Sequence, residues 1–310
     1  MAAATGYGDA PTEEELLAYG DLPRHGRDMA EVFAVRVPAA AAAAGGGGGD
    51  RSPPCGTIFF YGGNSCSDLI YSREWSVTDE PAAPQPCPCD SEGNLVLTGP
   101  SVATSAYGPV GFDFQLHDGN HGESSLQADD SGGDDQDDSN TGRVFCDTVS
   151  GEFSTYDRVI TETVATGYGP ADVVYAVLSN AVQGRVAVKL TALPAGGGDG
   201  DGAAATGVHG RVIARSKLLD AGCVLFYSER DGGGVPVEPG ELVPLARQAL
   251  AVPLHKPLTI EQNLRGDSGE EIVKGAVQFD PAITGEHVER VVGTSGAEIE
   301  VTISWSNYPW

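Results

Sequence analysis

The feature that most constrains this fold is a two-residue period of apolar side chains, which recurs along most of the chain. It is clearest in residues 299–305, where Ile, Val, Ile and Trp alternate with Glu, Thr and Ser. Side chains on a β-strand point alternately to the two faces of a sheet, so this period predicts strands with one buried and one wet face. The same period is present in residues 31–37, 111–117, 184–193 and 271–279.

Short apolar runs elsewhere bring the predicted strands to a dozen or more, and the residues between them favour turns. Of 310 residues, 43 are Gly and 20 are Pro, and both types disfavour helix interiors. No long amphipathic helix separates the strands. The sequence therefore predicts an all-β fold: an antiparallel β-sandwich, C2-like or jelly-roll-like, or a barrel. One short N-terminal helix is expected, because residues 12–15 (Thr-Glu-Glu-Glu) form a capping box.

The domain organisation follows from composition. Residues 1–28 are predicted to be a mobile arm that carries the short helix, and residues 30–306 are predicted to form one or two β-sandwich domains. Three insertions interrupt the strands. Residues 39–50 are rich in Ala and Gly, residues 118–142 are rich in Asp, and residues 195–207 are rich in Gly and Asp. Such compositions bury too little apolar surface to offset the entropy of ordering the chain, so we expect disordered loops there.

The net charge of the chain restricts the classes of molecule that it is expected to bind. The chain has 44 Asp and Glu residues against 18 Lys and Arg, which gives a net charge of −26. Binding to phosphate backbones depends on basic residues, so nucleic acid is not expected as a partner. No apolar run reaches the length of about 20 residues that a transmembrane helix needs, and no secretory signal is visible. We therefore expect a cytoplasmic or nuclear protein whose six cysteines are reduced thiols.

The sequence contains no pattern that is specific to a known catalytic or cofactor site, and we expect neither a catalytic residue nor a cofactor. Residues 265–269 (Arg-Gly-Asp-Ser-Gly) contain the Gly-Asp-Ser-Gly string of trypsin-like proteases. A Ser nucleophile also needs a His base and an orienting carboxylate, and no His lies in a recognisable protease context. We interpret this segment as a turn between two strands.

Calcium is the one metal that the sequence suggests. Ca²⁺ is bound by six to eight hard oxygen ligands, and membrane-docking C2 domains gather Asp carboxylates from loops at one end of the sandwich. Two acidic loops carry candidates that would converge in such an arrangement. The candidate ligands are Asp118, Asp129, Asp130, Asp199 and Asp201.

Several short segments together resemble a known family. They are Glu-Val-Phe at 31–33, Gly-Thr-Ile at 56–58, Leu-Ile-Tyr-Ser-Arg at 69–73, Leu-Thr-Gly-Pro at 97–100, Asp-Val-Val-Tyr-Ala-Val-Leu-Ser-Asn-Ala-Val at 172–182, Gly-Arg-Val at 210–212, Ala-Val-Pro-Leu at 251–254, Ile-Val-Lys-Gly at 272–275 and Ile-Glu-Val-Thr-Ile-Ser-Trp at 299–305. In these segments the chain resembles domain of unknown function 6598, a large uncharacterised plant family that is especially numerous in grasses.

The resemblance implies no activity, cofactor or site residue, because none is established for that family. Some similar grass proteins also carry a ribosome-inactivating toxin domain, which implies a context of stress or defence. Our hypothesis is a non-enzymatic intracellular β-sandwich that acts through protein or ligand contacts, with edge strands and loops as contact surfaces. The alternatives are calcium-dependent phospholipid binding, in which a membrane surface is the partner, and a ribosome-directed role.

Overall fold

The computed structural model describes residues 22–38, 53–63, 67–74, 89–118 except 91, 141–146, 156–193, 205–229 and 234–307, with the single positions 12, 14 and 18. Within these ranges the chain is almost entirely β-structure, and the ladders between its strands are antiparallel. The strands are β1 (Arg27–Arg36), β2 (Cys55–Tyr61), β3 (Ser67–Arg73), β4 (Thr104–Ser105), β5 (Val110–His117), β6 (Thr141–Cys146), β7 (Val159–Thr166), β8 (Gly169–Ala192), β9 (Thr206–Ser216), β10 (Ala221–Ser228), β11 (Val235–Val237), β12 (Ala249–Pro253), β13 (Leu258–Arg265), β14 (Glu271–Phe279), β15 (Thr284–Val292) and β16 (Glu298–Ser306). The all-β prediction is confirmed.

The organising element is β8, a strand of 24 residues that runs through both halves of the fold. Its first part pairs with β1 and β7, and its second part pairs with β12 and β16. Every residue from 175 to 184 is buried, whichever face of the strand it lies on. The middle of β8 is therefore covered on both faces. In a single β-sandwich, by contrast, one face of each strand meets the core and the other meets solvent.

A β-bulge in β8 changes which residues face inward. In the ladder with β1, the step from Arg27 to Met29 corresponds to a step from Ala181 to Leu178, so β8 accommodates one additional residue. Before the bulge, odd-numbered residues from 171 to 177 belong to one hydrophobic core, and after it even-numbered residues from 182 to 190 belong to another. An extra residue shifts the alternation of a strand by one position, and here it lets one strand contribute to two cores.

The first core lies between the sheet β3-β2-β5-β6 and the strands β1, β7 and the first part of β8. Aromatic rings join its two layers. Phe60 stacks on Phe112 with ring centroids 4.7 Å apart, and Phe112 meets the edge of Tyr175 of β8 at 5.2 Å. Pairs of this geometry add to the stabilisation that burial itself provides.

The second core lies between the sheet β10-β9-β13-β14 and the strands β12, β16 and the second part of β8. The predicted inward residues of β16 are all buried there, and Trp305 is 4% exposed. A smaller cluster, which includes Met29, Phe33, Leu178 and Leu218, fills the region where the two cores adjoin. The fold is thus built from two face-to-face packings that share β8.

Several sequence predictions need correction. The predicted strand at 184–193 is not a separate element, because residues 184–192 are the second part of the long strand β8. The first residues of β6 and β9 fall within the ranges predicted as insertions, and β1 begins at Arg27, within the predicted arm. The rest of the three insertions lies almost entirely outside the described residues.

The short N-terminal helix is not seen as an element of the structure, and most of residues 12–20 lies outside the described positions. Nothing in the described ranges forms a helix with the length and apolar character that crossing a bilayer requires.

Candidate functional site

The calcium candidates fall mostly where the structure gives no description. Asp118 directly follows β5 and is partly buried, while Asp129, Asp130, Asp199 and Asp201 lie outside the described residues. Within the described ranges, no group of three or more His, Cys, Asp or Glu side chains is arranged to hold a metal ion. The calcium site therefore stays a prediction.

The Arg-Gly-Asp-Ser-Gly segment is a turn, as its composition predicts. It connects β13 to β14, and the Gly266 amide donates to the Glu270 carbonyl at 2.9 Å. The Asp267 carboxylate accepts from the Gly207 amide at 2.8 Å, which anchors the turn to the start of β9. The residues of this motif thus have structural partners.

A polar cleft of about 270 Å³ lies between the outer face of the β9–β10 pair and a wall made by β1 and residues 90, 92, 94, 95 and 97. We call it the inter-core cleft, because β9 and β10 belong to the second core and β1 to the first. Its polar lining residues are Arg36, Asp90, Glu92, Asn94, Arg211, Arg215 and Tyr227.

The floor of the inter-core cleft follows from the two-residue period of β9. Val212 and Ala214 point into the second core, so Arg211, Ile213 and Arg215 point away from it and into the cleft. Ile213 is 7% exposed and forms an apolar floor between the two arginines. Tyr227 of β10 lies directly opposite Arg211, which gives the cleft one aromatic side.

The opposite wall is a turn to which Asp90 and residues 92–94 belong. One oxygen of the Asp90 carboxylate accepts from the amides of Glu92 and Asn94, each at 2.9 Å, and the other accepts from the Asn94 side-chain amide at 2.8 Å. Gly93 has a φ of 81°, a left-handed conformation that glycine adopts without strain. The carboxylate of Asp90 is therefore engaged in holding the turn.

Two backbone hydrogen bonds fix this turn to β1. The Val37 amide donates to the Gly93 carbonyl and the Leu95 amide donates to the Val35 carbonyl, both at 2.9 Å. Arg36 lies between them, and its Nε donates to Asn94 Oδ1 at 2.9 Å. The guanidinium of Arg36 is thus held at the edge of the cleft by an amide oxygen.

The arginines of the inter-core cleft differ in their partners. Arg215 forms an ion pair with Glu261 of β13, with Nε 3.1 Å from the carboxylate oxygen. In the part of the chain that the structure describes, neither Arg36 nor Arg211 forms an ion pair with a carboxylate. Among the described residues, these two guanidinium groups therefore have no carboxylate at ion-pair distance, although Asp90 and Glu92 line the same cleft.

A second cleft, of about 320 Å³, lies where β1 and β4 meet the bulge of β8, and Arg24, Asp28 and Ser179 are among its lining residues. Beside it, the buried Asp157 carboxylate accepts from the Ser179 amide at 3.0 Å and from the Ser179 hydroxyl at 2.6 Å. Burial raises the pKa of Asp28 and of Asp157, and the nearby Arg24 opposes both effects. Because these charges compensate one another, we assign this cleft a structural role.

The sequence did not single out Arg36, Arg211 or Arg215. The spacing of Arg211 and Arg215 in a strand of period two places them on one face, and this signal was available. Arg36 belongs to a distant strand, and its position beside them depends on how the two cores pack.

The fold and the cleft together define an antiparallel β protein with two cores and a polar cleft between them. The chain belongs to the family described as domain of unknown function 6598, whose model matches residues 66–303. The resemblance found in the sequence is thereby confirmed. No curated protein matches the chain, and no solved structure matches it. The matched range includes Arg211 and Arg215, while Arg36 precedes it.

Proposed function

We propose that this protein is a non-catalytic binding protein that takes a small anionic molecule in the inter-core cleft. The observation that supports this proposal is that Arg36 and Arg211 line one cleft without a carboxylate partner among the described residues. Acidic side chains outnumber basic ones by 44 to 18 in this chain, so an arginine has many available carboxylates. Two arginines in one cleft that form no ion pair with a described carboxylate favour a ligand that supplies negative charge.

Guanidinium chemistry gives the class of ligand. The planar fork of Arg matches the two oxygens of a carboxylate or the oxygens of a phosphate, and such charge-assisted hydrogen bonds are stronger than neutral ones. Arg211 is the principal anchor in this proposal, because it stands on β9, which is paired on both edges, with Tyr227 and Asn263 on either side. Arg36 contacts the ligand from the facing wall.

The size and lining of the cleft restrict the rest of the molecule. A volume of about 270 Å³ lies just below the range of about 300–1,000 Å³ found for sites of drug-sized ligands. Ile213 and Tyr227 provide apolar contact beside the arginines. Glu92 adds a negative charge to the cleft, which favours a ligand whose other end is neutral or cationic.

Calorimetric titration of the full chain tests the proposal. The probes are inorganic phosphate, citrate, a zwitterionic amino acid and a neutral monosaccharide. We expect saturable binding of one of the charged probes and no binding of the sugar. In Arg211→Gln the affinity falls tenfold or more, which corresponds to at least about 1.4 kcal/mol.

Arg265→Gln is the matched control. Arg265 is an exposed arginine of β13, the strand next to β9, and it does not line the cleft. Both variants remove one positive charge, so a general effect of net charge would lower the affinity of both equally. If both variants bind like the wild type, or if no charged probe binds, the proposed function is wrong.

A further inference from the structure

One strand projects from the body of the protein. β15 pairs with β16 and lies at the end of the sheet that contains β8, so its other edge forms no ladder with a described strand. Residues 284–290 and 292 are exposed, which includes both faces of the strand. Val288 is 46% exposed and Val292 is 64% exposed. Val291 is the partly buried residue of the strand and packs against the second core.

Such an edge is a template for another strand. Its row of unpaired amide and carbonyl groups accepts an additional strand unless charges, prolines or bulges prevent pairing. β15 contains no proline, and its ladder with β16 has no register shift over all nine residues. β15 also carries charged side chains, and the order of these charges determines which strand can pair with its free edge.

The order of charges in β15 is self-complementary. When two copies pair antiparallel about Val288, each Glu286 lies opposite an Arg290, and each His287 lies opposite a Glu289. Both pairs occur twice, because a two-fold axis through Val288 relates the copies. Cross-strand pairs of opposite charge stabilise a ladder, whereas like charges directly opposite one another destabilise it.

Two of the nearby registers place like charges opposite one another. In a two-fold antiparallel pairing centred on Glu286 or on Glu289, that residue lies opposite its own copy, so two carboxylates meet. The charges therefore select the register centred on Val288 against these alternatives, and they disfavour a general edge-to-edge aggregation.

We propose that β15 is a dimerisation edge, along which two copies of this chain pair antiparallel about Val288. The dimer joins the two sheets into one continuous sheet across the axis. Glu286, Val288 and Arg290 lie on one face of it, next to Ser304, Thr302 and Glu300 of β16. Arg290 already approaches Glu300 at 3.2 Å and Glu298 at 3.5 Å within one chain, so in the dimer Glu286 of the other copy adds a third carboxylate. This proposal does not depend on the ligand of the inter-core cleft.

Sedimentation and light scattering of the full chain test the association over a range from micromolar to submillimolar concentration. Each copy carries a net charge of −26, so the measurement uses about 0.15 M salt, where the Debye length is about 8 Å. The expected mass rises toward twice the 32.0 kDa of one chain. A wild-type chain that stays monomeric throughout this range overturns the proposal.

Charge reversal identifies the register. Glu286→Arg places two arginines opposite one another, and Arg290→Glu places two glutamates opposite one another, so each variant alone is expected to be monomeric. Mixed together, the two variants restore opposite charges at both positions and are expected to form a mixed dimer. The double variant Glu286→Arg/Arg290→Glu is expected to dimerise by itself. A merely structural role of these residues within one chain does not produce such a rescue.

Cysteine cross-linking provides a second measurement, which is independent of charge. Val288→Cys places two thiols at the axis, and we expect a disulfide-linked dimer under mild oxidation. Val292→Cys is the matched control, because its two copies lie eight residues apart along the strands, roughly 27 Å. Dimers that persist in both single charge variants, or that cross-link equally at both positions, overturn the proposal by showing that another surface associates.

Discussion

Arg247 and Glu31 form a buried ion pair that joins β1 to the segment preceding β12. The Arg247 side chain is 0% exposed and that of Glu31 is 2% exposed. Arg247 Nη2 donates to Glu31 Oε1, Nη1 donates to the Val32 carbonyl at 2.7 Å and Nε donates to the Ala249 carbonyl at 2.9 Å. Glu31 Oε2 accepts from the Ala251 amide. The ion pair thus links β1 to the segment before β12. Its two side chains also form hydrogen bonds with the backbone of Val32, Ala249 and Ala251.

The first prediction concerns this pair. Arg247→Met leaves the Glu31 carboxylate buried without its partner, and removal of one member of a buried pair costs about 3–5 kcal/mol. Glu31→Gln/Arg247→Met removes both charges and is expected to lose less stability than Arg247→Met alone. Urea unfolding at pH 7 measures the free energy of unfolding of each variant.

Arg143→Met is the control for this prediction. Arg143 is paired with Asp113 at 2.6 Å, but its side chain is 69% exposed. Exposed pairs contribute little because water and salt screen them, so we expect a much smaller loss than in Arg247→Met. An equal loss of unfolding free energy in Arg247→Met and Arg143→Met would contradict the prediction that the buried pair contributes more than the exposed one.

The second prediction is a pH dependence of stability. Burial raises the pKa of Glu31 from its ordinary 4.5 to about 6, although Arg247 and the Ala251 amide oppose this. Between these values the folded chain holds a proton that the unfolded chain has released, so the free energy of unfolding falls as the pH rises through this range. The difference in pKa corresponds to about 2 kcal/mol. Urea unfolding from about pH 4 to pH 7 measures this slope.

Glu31→Gln is expected to make that slope shallower without abolishing it. Burial raises the pKa of Asp28 and of Asp157 as well, so these carboxyls contribute in the same direction and stay in the variant. A slope in Glu31→Gln as steep as that of the wild type would contradict the assignment to Glu31.

The third prediction concerns Asp157, which supports the bulge of β8. Its φ of 56° is left-handed, a conformation that Asn and Asp adopt more readily than other side chains. Asp157→Ala loses both hydrogen bonds from Ser179 and keeps the backbone strain, so we expect a loss of about 2 kcal/mol or more. Asp157→Asn keeps an acceptor for the Ser179 amide and tolerates the same φ, and is expected to lose less. Thermal unfolding compares the two variants, and an equal loss would show that the side-chain oxygen contributes nothing.

The fourth prediction is a low reactivity of Cys223. The side chain is 4% exposed, and burial raises the pKa of its thiol to about 12. Because the thiolate is the reactive form, iodoacetamide at neutral pH should leave Cys223 unmodified in the folded protein and modify it after unfolding. Peptide mass spectrometry measures both states. Rapid modification of Cys223 in the folded protein would show that this part of the second core opens.

Local periodicity predicted the strands that have one wet face. In β16 and β5, polar and apolar residues alternate because one face meets solvent and the other meets a core, and both strands were found. β15 was missed because solvent reaches both of its faces, so its residues show no alternation. The continuity of β8 was missed because its middle is buried on both faces, and Ser179 and Asn180 at the bulge interrupt the period.

The sequence by itself determined that this chain is an antiparallel β protein, because alternation between two faces is a local property of each strand. It did not determine that two cores share one strand, since the same period fits one sandwich or two. The partner of Glu31 and the approach of Arg36 to Arg211 were decided by tertiary structure. These contacts join residues that are distant along the chain, and they form only where the two packed halves meet.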